Sequence, residues 1–180
     1  MNIYQKSILS LCYKKGGRYK SYMRIILPKV VLTDVDGVLT DGNVLYLDNG
    51  TRARFFNIRD GQGFKILKEL GIKTGFVSGE QDRHILLRAQ KLKLDIVLLG
   101  IQDKVSAVKK QLKKYSVSLK DVWFVGDDIN DLELLMSVGL SFCPKNIPDD
   151  KVLKSCHFQL KKSGGHGVFR ELVEIINLYV

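Results

Sequence analysis

Residues 30–37 read Val30-Val31-Leu32-Thr33-Asp34-Val35-Asp36-Gly37. The apolar, β-branched run up to Thr33 is typical of a buried strand, and two carboxylates follow it at once. One acidic pair could simply be a solvated turn. A second pair, Asp127 and Asp128, follows another apolar run at Val122 to Val125. Two acidic pairs placed alike at the ends of buried strands predict a shared site.

After Lys29 the sequence alternates between short apolar runs and amphipathic stretches. Strict alternation of strands and helices predicts an α/β fold of the Rossmann-like three-layer kind, with a parallel sheet covered on both faces. A small hairpin, with its turn at Asp48-Asn49-Gly50, is predicted over residues 44–56. Asn130 and Glu133 have the spacing of a capping box. The predicted strands are 30–33, 73–77, 96–99, 122–125, 140–142 and 157–160, and the predicted helices are 63–70, 82–92, 104–115, 130–138 and 168–178.

Composition and charge limit the possible functions. Hydrophobic residues are 45% and charged residues 27% of the chain, as in a folded globular protein. The net charge of +10 is concentrated in residues 1–24, which carry six basic side chains and no acidic one. We expect that segment to be a poorly ordered extension and residues 25–180 to form one domain. We expect no nucleic-acid partner and no membrane span. The three cysteines show no zinc-site spacing, which favours a reducing, cytoplasmic setting.

The polar residues that follow the predicted strands form a chemically coherent set. In parallel sheets ligands bind beyond the carboxyl ends of the strands, so these residues should converge. Four carboxylates at one edge would repel one another, and a divalent cation is the simplest compensation. An all-oxygen site of this kind suits Mg²⁺. The converging residues are Asp34, Asp36, Ser78, Lys104, Asp127 and Asp128.

Such a site predicts phosphoryl transfer. Asp34 is the candidate nucleophile and would form an aspartyl-phosphate. Asp36 can protonate the leaving alcohol and then deprotonate the hydrolytic water. Lys104 and Ser78 would bind phosphate oxygens. The prediction is therefore a phosphoric monoester hydrolase. A receiver-like phospho-switch protein is an alternative of another class, although its phosphorylated aspartate would follow a middle strand.

The ordered motifs resemble those of the haloacid dehalogenase superfamily. They are Asp34-x-Asp36-Gly37-Val38-Leu39, Ser78-Gly79, Lys104 and Gly126-Asp127-Asp128-x-x-Asp131. The resemblance implies that Asp34, Asp127 and the backbone carbonyl of Asp36 hold Mg²⁺, and that Ser78, Gly79 and Lys104 hold the phosphate. It implies supporting or water-mediated roles for Asp128 and Asp131.

A finer resemblance is to the 3-deoxy-D-manno-octulosonate 8-phosphate phosphatase family. It is carried by Thr40-Asp41-Gly42, Asp60-x-x-Gly63 and the tail Gly164-Gly165-His166-Gly167-Val168-Phe169-Arg170-Glu171. Members of that family lack a cap domain and are homotetramers, in which the glycine-rich tail of one subunit can reach a neighbour's site. The resemblance therefore implies a homotetramer, packing through the hairpin, and a substrate contact by Arg170.

One position departs from the octulosonate pattern. Glu80 stands where an arginine is usual, and Lys91 follows eleven residues later, as in relatives that act on nine-carbon sugar acids. This departure favours a nonulosonate 9-phosphate as the substrate. The alternative is 3-deoxy-D-manno-octulosonate 8-phosphate, an intermediate of lipopolysaccharide synthesis.

Overall fold

The structure, a computed structural model, describes residues 26–180. The expected extension over residues 1–24 lies outside the described residues. The strands are β1 (Val30–Thr33), β2 (Leu45–Tyr46), β3 (Arg52–Ala53), β4 (Lys73–Val77), β5 (Ile96–Leu98), β6 (Val122–Val125), β7 (Leu140–Cys143) and β8 (Phe158–Gln159). The α-helices are α1 (Ile58–Glu69), α2 (Arg83–Leu92), α3 (Lys104–Leu112), α4 (Leu132–Ser137), α5 (Asp150–Ser155) and α6 (Val168–Asn177). Short 3₁₀ turns lie at Lys113–Tyr115, Leu119–Asp121 and Ile129–Asp131.

Six of the strands form one parallel sheet in the order β5-β4-β1-β6-β7-β8, and β2 and β3 form a separate hairpin. Strand β1 is central and pairs with β4 on one side and β6 on the other. The carboxyl ends of these three strands are therefore neighbours, and each leads into a predicted site residue: Asp34 after β1, Ser78 after β4 and Asp127 shortly after β6.

Helices cover both faces of the sheet, so the predicted three-layer fold is confirmed. On one face α1, α2 and α6 pack on the sheet, with the Phe64 and Phe169 rings stacked at 4.0 Å between centroids. On the other face Val108 of α3, Leu134 of α4 and Val152 of α5 are completely buried. In this second core the Sγ atoms of Cys143 and Cys156 lie 2.9 Å apart.

Several boundaries differ from those predicted. Helix α1 begins five residues earlier because the Asn57 side chain accepts a hydrogen bond from the Arg59 amide and caps it. The predicted capping box of Asn130 and Glu133 is wrong, since the box is formed by Asp128 and Asp131 around the 3₁₀ turn. Helix α5 was not predicted, because a six-residue helix is too short to show a clear hydrophobic period.

The hairpin is confirmed, with its tight turn between Leu47 and Thr51. It stands apart from the main sheet and leaves apolar side chains open to solvent. Among residues 26–180 no helix is both long and apolar enough to cross a membrane.

Candidate active site

Three of the predicted site residues meet in one buried ion-pair network. The Lys104 ammonium, at the start of α3, donates to Asp34 Oδ1 at 2.8 Å and to Asp131 Oδ1 at 2.6 Å. All three side chains are almost completely buried. Asp131 also accepts hydrogen bonds at Oδ2 from the backbone amides of Asp127 and Asp128. Asp131 therefore fixes both Lys104 and the loop after β6, and its supporting role in the reaction stays a prediction.

Asp127 completes the cluster. One carboxylate oxygen each from Asp34, Asp127 and Asp131 lies within 4.8 Å of the other two. The close approach of Asp127 to the first loop depends on Gly37, which has φ +88°, and a Cβ there would lie 1.8 Å from Asp127 Oδ2. Only glycine tolerates both this conformation and this contact. Asp128, by contrast, caps the following 3₁₀ turn by accepting from the Ile129 amide.

The cluster has more negative charge than Lys104 neutralises. Burial and the neighbouring Asp131 carboxylate raise the pKa of Asp34 to about 7. Burial, followed by the carboxylates of Asp34 and Asp131, raises the pKa of Asp127 to about 8. Burial alone would lower the pKa of Lys104, but Asp34 and Asp131 raise it above its ordinary value. All these shifts follow from low-dielectric surroundings that hold three carboxylates and one cation.

The donor set fits a divalent metal ion. Asp127 Oδ1 is buried and has no hydrogen-bond partner among the described residues, although a buried carboxylate oxygen normally has one. Hard oxygen ligands at this spacing suit Mg²⁺. Asp34 and Asp127 are the candidate direct ligands, because the oxygens of Asp131 are already used by Lys104 and two backbone amides.

Ser78 and Gly79 lie at the end of β4, beside the cluster. Ser78 is buried, its amide donates to the Leu98 carbonyl, and its hydroxyl accepts from the Glu80 amide. Gly79 faces the Asn130 side chain of the loop after β6, with 3.8 Å from an added Cβ to Nδ2. Phosphate binding by Ser78 and Gly79 stays a prediction.

Asp36 is held by two side chains that donate to the same oxygen. Thr40 Oγ1 lies 3.0 Å from Asp36 Oδ1, and Arg54 Nε lies 2.8 Å from it. The Arg54 side chain is 1% exposed. Arg54 was not among the predicted site residues. The available signal was the alternation of Arg52 and Arg54 in the hairpin, which places two cations on one side of an edge strand.

The three predicted specificity residues do not join the cluster. Glu80 lies near the mouth of the site, but its carboxylate pairs with Arg52 at 3.4 Å. Lys91 is in the last turn of α2, about 12 Å along that helix from its first residue. The Arg170 guanidinium pairs with Glu174 on its own helix. Within one subunit these residues are thus separated from one another.

The glycine-rich tail packs against the first loop of its own subunit. The Gly165 amide donates to the Val38 carbonyl at 2.9 Å. A Cβ on Gly164 would lie 1.8 Å from the Gly37 carbonyl oxygen. The tail therefore supports the loop that carries Asp36 and Gly37.

Comparison with known proteins agrees with this geometry. Residues 84–172 match the haloacid dehalogenase-like hydrolase family. The chain is 34% identical over 148 residues to the 3-deoxy-D-manno-octulosonate 8-phosphate phosphatase KdsC of Haemophilus influenzae, covering 82% of each chain. The chain belongs to the haloacid dehalogenase superfamily. Within that superfamily it belongs to the same family as KdsC.

Solved structures of haloacid dehalogenase proteins support the assignment. The octulosonate 8-phosphate phosphatase of Moraxella catarrhalis, in complex with a magnesium ion, a phosphate ion and KDO, superposes with a TM-score of 0.80 at 30% identity, covering 83% of this chain and 85% of that one. The probable YrbI family phosphatase of Pseudomonas syringae pv. phaseolica gives a TM-score of 0.80 at 34% identity, covering 83% and 84%.

Membership of this haloacid dehalogenase family confirms the predicted enzyme class, a phosphoric monoester hydrolase. The receiver-like alternative is wrong, because the matched family and its relatives are hydrolases.

Proposed function

We propose that this enzyme is a Mg²⁺-dependent phosphatase of a 2-keto-3-deoxy sugar acid phosphate, with 3-deoxy-D-manno-octulosonate 8-phosphate as its substrate. The observation that carries the proposal is the buried network of Asp34, Lys104, Asp127 and Asp131. A carboxylate, a fixed ammonium and a buried oxygen with no partner among the described residues lie together there, which supports metal-assisted phosphoryl transfer. The KdsC relatives supply the substrate class.

The residues suggest a two-step reaction. Asp34 attacks phosphorus as the ester oxygen leaves, and Asp36 gives that oxygen a proton, which yields the free sugar acid and an aspartyl-phosphate. A water then attacks the aspartyl-phosphate while Asp36 takes its proton, which releases phosphate and restores Asp34. Lys104 and Ser78 bind the phosphoryl oxygens in both steps. Asp34, Asp127 and the Asp36 backbone carbonyl would hold Mg²⁺, which neutralises negative charge on the phosphoryl group when bound.

Two observations favour the eight-carbon substrate over the nine-carbon substrate that the sequence favoured. The curated relatives from Haemophilus influenzae and Yersinia pestis and the Moraxella catarrhalis structure are octulosonate 8-phosphate phosphatases. The physical reason for a nonulosonate preference also weakens, since Arg52 pairs with Glu80 and Lys91 lies far along α2. The nonulosonate 9-phosphate remains the second candidate because Glu80 is still at the mouth of the site, with about half of its side chain exposed.

We further propose that the enzyme is a cytoplasmic homotetramer. An apolar surface, here named the hairpin patch, consists of Leu45, Tyr46, Leu47, Phe55 and Ile58, which are 52%, 69%, 46%, 81% and 83% exposed. So much exposed apolar surface in one region is typical of an interface between subunits. Residues 26–180 include no cap domain over the site, and a neighbouring subunit would close it.

A phosphate-release assay with MgCl₂ tests the function. The panel comprises octulosonate 8-phosphate, ketodeoxynononate 9-phosphate, N-acetylneuraminate 9-phosphate and glucose 6-phosphate. We expect the highest kcat/KM for the octulosonate ester, and a Asp34→Asn variant should lose about 10⁴-fold or more in kcat. Asp48→Asn, in the exposed hairpin turn, is the matched control and should keep full activity. Equal activity on the whole panel, or an active Asp34→Asn variant, would contradict the proposal.

A further inference from the structure

The hairpin places a buried arginine on the carboxylate that we assign to proton transfer. Arg54 follows β3 directly and is 1% exposed at its side chain. Its Nε donates to Asp36 Oδ1 at 2.8 Å, and its Nη1 donates to Asp82 Oδ2. A buried guanidinium needs such anionic partners, because an unpaired buried charge is very costly.

Asp82 anchors the other end of this bridge. Its Oδ1 accepts from the His84 amide and so caps α2. Burial tends to raise the pKa of Asp82, but the hydrogen bonds from His84 and Arg54 lower it to about 2. Asp82 is therefore a permanent anion at neutral pH, tied to a helix end. Arg54 is held at a fixed position by it.

The two carboxylate oxygens of Asp36 differ in their hydrogen bonds. Arg54 and Thr40 both donate to Oδ1. A proton exchanged with an alcohol or a water must use the other oxygen, since Oδ1 is already saturated by two donors. A carboxylate that rotated freely would present either oxygen, at variable distance from the ester. A general acid works only when its oxygen lies within hydrogen-bond reach of the leaving group.

We propose that Arg54 is a positioning residue for the reaction, which fixes Asp36 through Oδ1 so that Oδ2 faces the leaving group and the hydrolytic water. The inference rests on the proposed function, in which Asp36 is the general acid and base. Arg54 does not touch the carboxylates of the metal cluster. Its loss should therefore impair proton transfer and leave the binding of Mg²⁺ unchanged.

The test compares two esters that differ in their need for an acid. The leaving group of an alkyl ester such as octulosonate 8-phosphate is a strongly basic alkoxide unless an acid protonates it. The leaving group of p-nitrophenyl phosphate is a weakly basic phenolate, which needs no acid. Arg54→Met should lose about 10²-fold in kcat/KM on the alkyl ester and under about tenfold on the aryl ester, because kcat/KM reports the first phosphoryl transfer and not the hydrolysis step that both esters share. Arg52→Met is the matched control, because Arg52 lies on the same hairpin and contacts Glu80 and Asp82 but not Asp36. It should lower both rates by the same small factor.

A conservative variant and a binding measurement separate positioning from folding. Arg54→Lys keeps a cation, but its ammonium cannot bond both aspartates as a planar guanidinium does. It should therefore also lose more activity on the alkyl ester than on the aryl ester, by a smaller factor than Arg54→Met. The rise in unfolding temperature on adding MgCl₂ should match that of the wild type in both variants. Equal losses on the two esters in both variants, or a lost response to Mg²⁺, would overturn the inference.

Asp36→Asn separates this inference from the proposed function. If Asp36→Asn shows the imbalance between esters and the Arg54 variants do not, the role of Arg54 is wrong and that of Asp36 stands. If Asp36→Asn keeps full activity on the alkyl ester, the assignment of Asp36 fails, and the inference fails with it.

Discussion

Asp127 shows how one residue can be unfavourable for the empty protein and necessary for the bound one. Its Oδ1 is buried without a hydrogen bond from the described residues, and three other aspartates raise its pKa. A buried carboxylate in such a place destabilises the fold until a cation compensates it. The metal-free protein is therefore less stable, but its metal-binding site is already formed.

Asp127→Asn should therefore separate the two effects. In EDTA the variant should unfold at a higher temperature than the wild type, because Asp127 must either take up a proton or bury its charge on folding and asparagine does neither. MgCl₂ at about 100 times the dissociation constant should stabilise the wild type by about 2.7 kcal/mol and the variant by far less. Thermal unfolding by circular dichroism measures both.

Asp128→Asn is the matched control for this experiment, because it makes the same change of charge one residue later. Asp128 is exposed and caps a 3₁₀ turn. The control should change little in stability, because an asparagine oxygen can accept the same capping hydrogen bond, and it should keep its response to Mg²⁺. A full Mg²⁺ response in Asp127→Asn would remove Asp127 from the metal site.

At the scale of elements, local chemistry made most of the sheet predictable. Strands β1 and β6 have the predicted bounds, because apolar runs end at polar residues that must leave the core. The two acidic loops were predictable for the same reason. The bridge from Arg54 to Asp36 was not, because it joins a hairpin to a loop through tertiary packing. No spacing in the sequence encodes that contact.

Asp60 makes another tertiary contact that the sequence does not predict, because it links two helices. It lies in α1, and its Oδ1 accepts from the Arg170 amide in the first turn of α6, whose own N-cap is a glycine without a side chain. Burial raises the pKa of Asp60 to about 6. The raised value means that the ionised form is less stable in the folded protein than in the unfolded chain, where the pKa is near 3.9.

This shift predicts a pH dependence of stability. The contribution of Asp60 is greatest below about pH 4 and is lost as pH rises through 6, by about 3 kcal/mol. Asp60→Asn keeps an acceptor for the Arg170 amide and cannot ionise. The free energy of unfolding of the variant, minus that of the wild type, should therefore rise by up to about 3 kcal/mol from pH 4 to pH 7.5. Urea unfolding at several pH values measures this difference.

Asp121→Asn is a control for which the stability difference should change with pH in the opposite direction. Hydrogen bonds from Ser118 lower the pKa of Asp121, so its contribution to stability is present at neutral pH and lost in acid. The same difference should therefore fall as pH rises. A flat difference for Asp60→Asn would show that this carboxylate is not destabilised by burial.

At the scale of the whole molecule, the hairpin connects assembly with chemistry. The hairpin segment carries four exposed residues of the hairpin patch (Leu45, Tyr46, Leu47 and Phe55) together with Arg54, whose side chain is buried. If subunits pack through this patch, as proposed, then assembly also restrains the arginine that holds Asp36. This arrangement would make the tetramer more active than its separated subunits.

Replacing Tyr46 and Phe55 together by glutamate should dissociate the assembly, because the charges would be buried without partners in the interface. Sedimentation velocity should show a tetramer for the wild type and smaller species for the variant. Met136→Glu, at an exposed methionine of α4 that is 62% accessible, is the control and should stay tetrameric. A monomeric wild type at micromolar concentration would contradict the proposed assembly.

The contact between Gly164 and Gly37 has a consequence for the order of events in synthesis. The nucleophile loop emerges from the ribosome first, whereas the glycines that support it are made only after residues 38–163. Strand β1 also has to wait for β6 before it is enclosed on both sides. A nascent chain released too soon would thus hold every reacting group and still lack a finished catalytic centre.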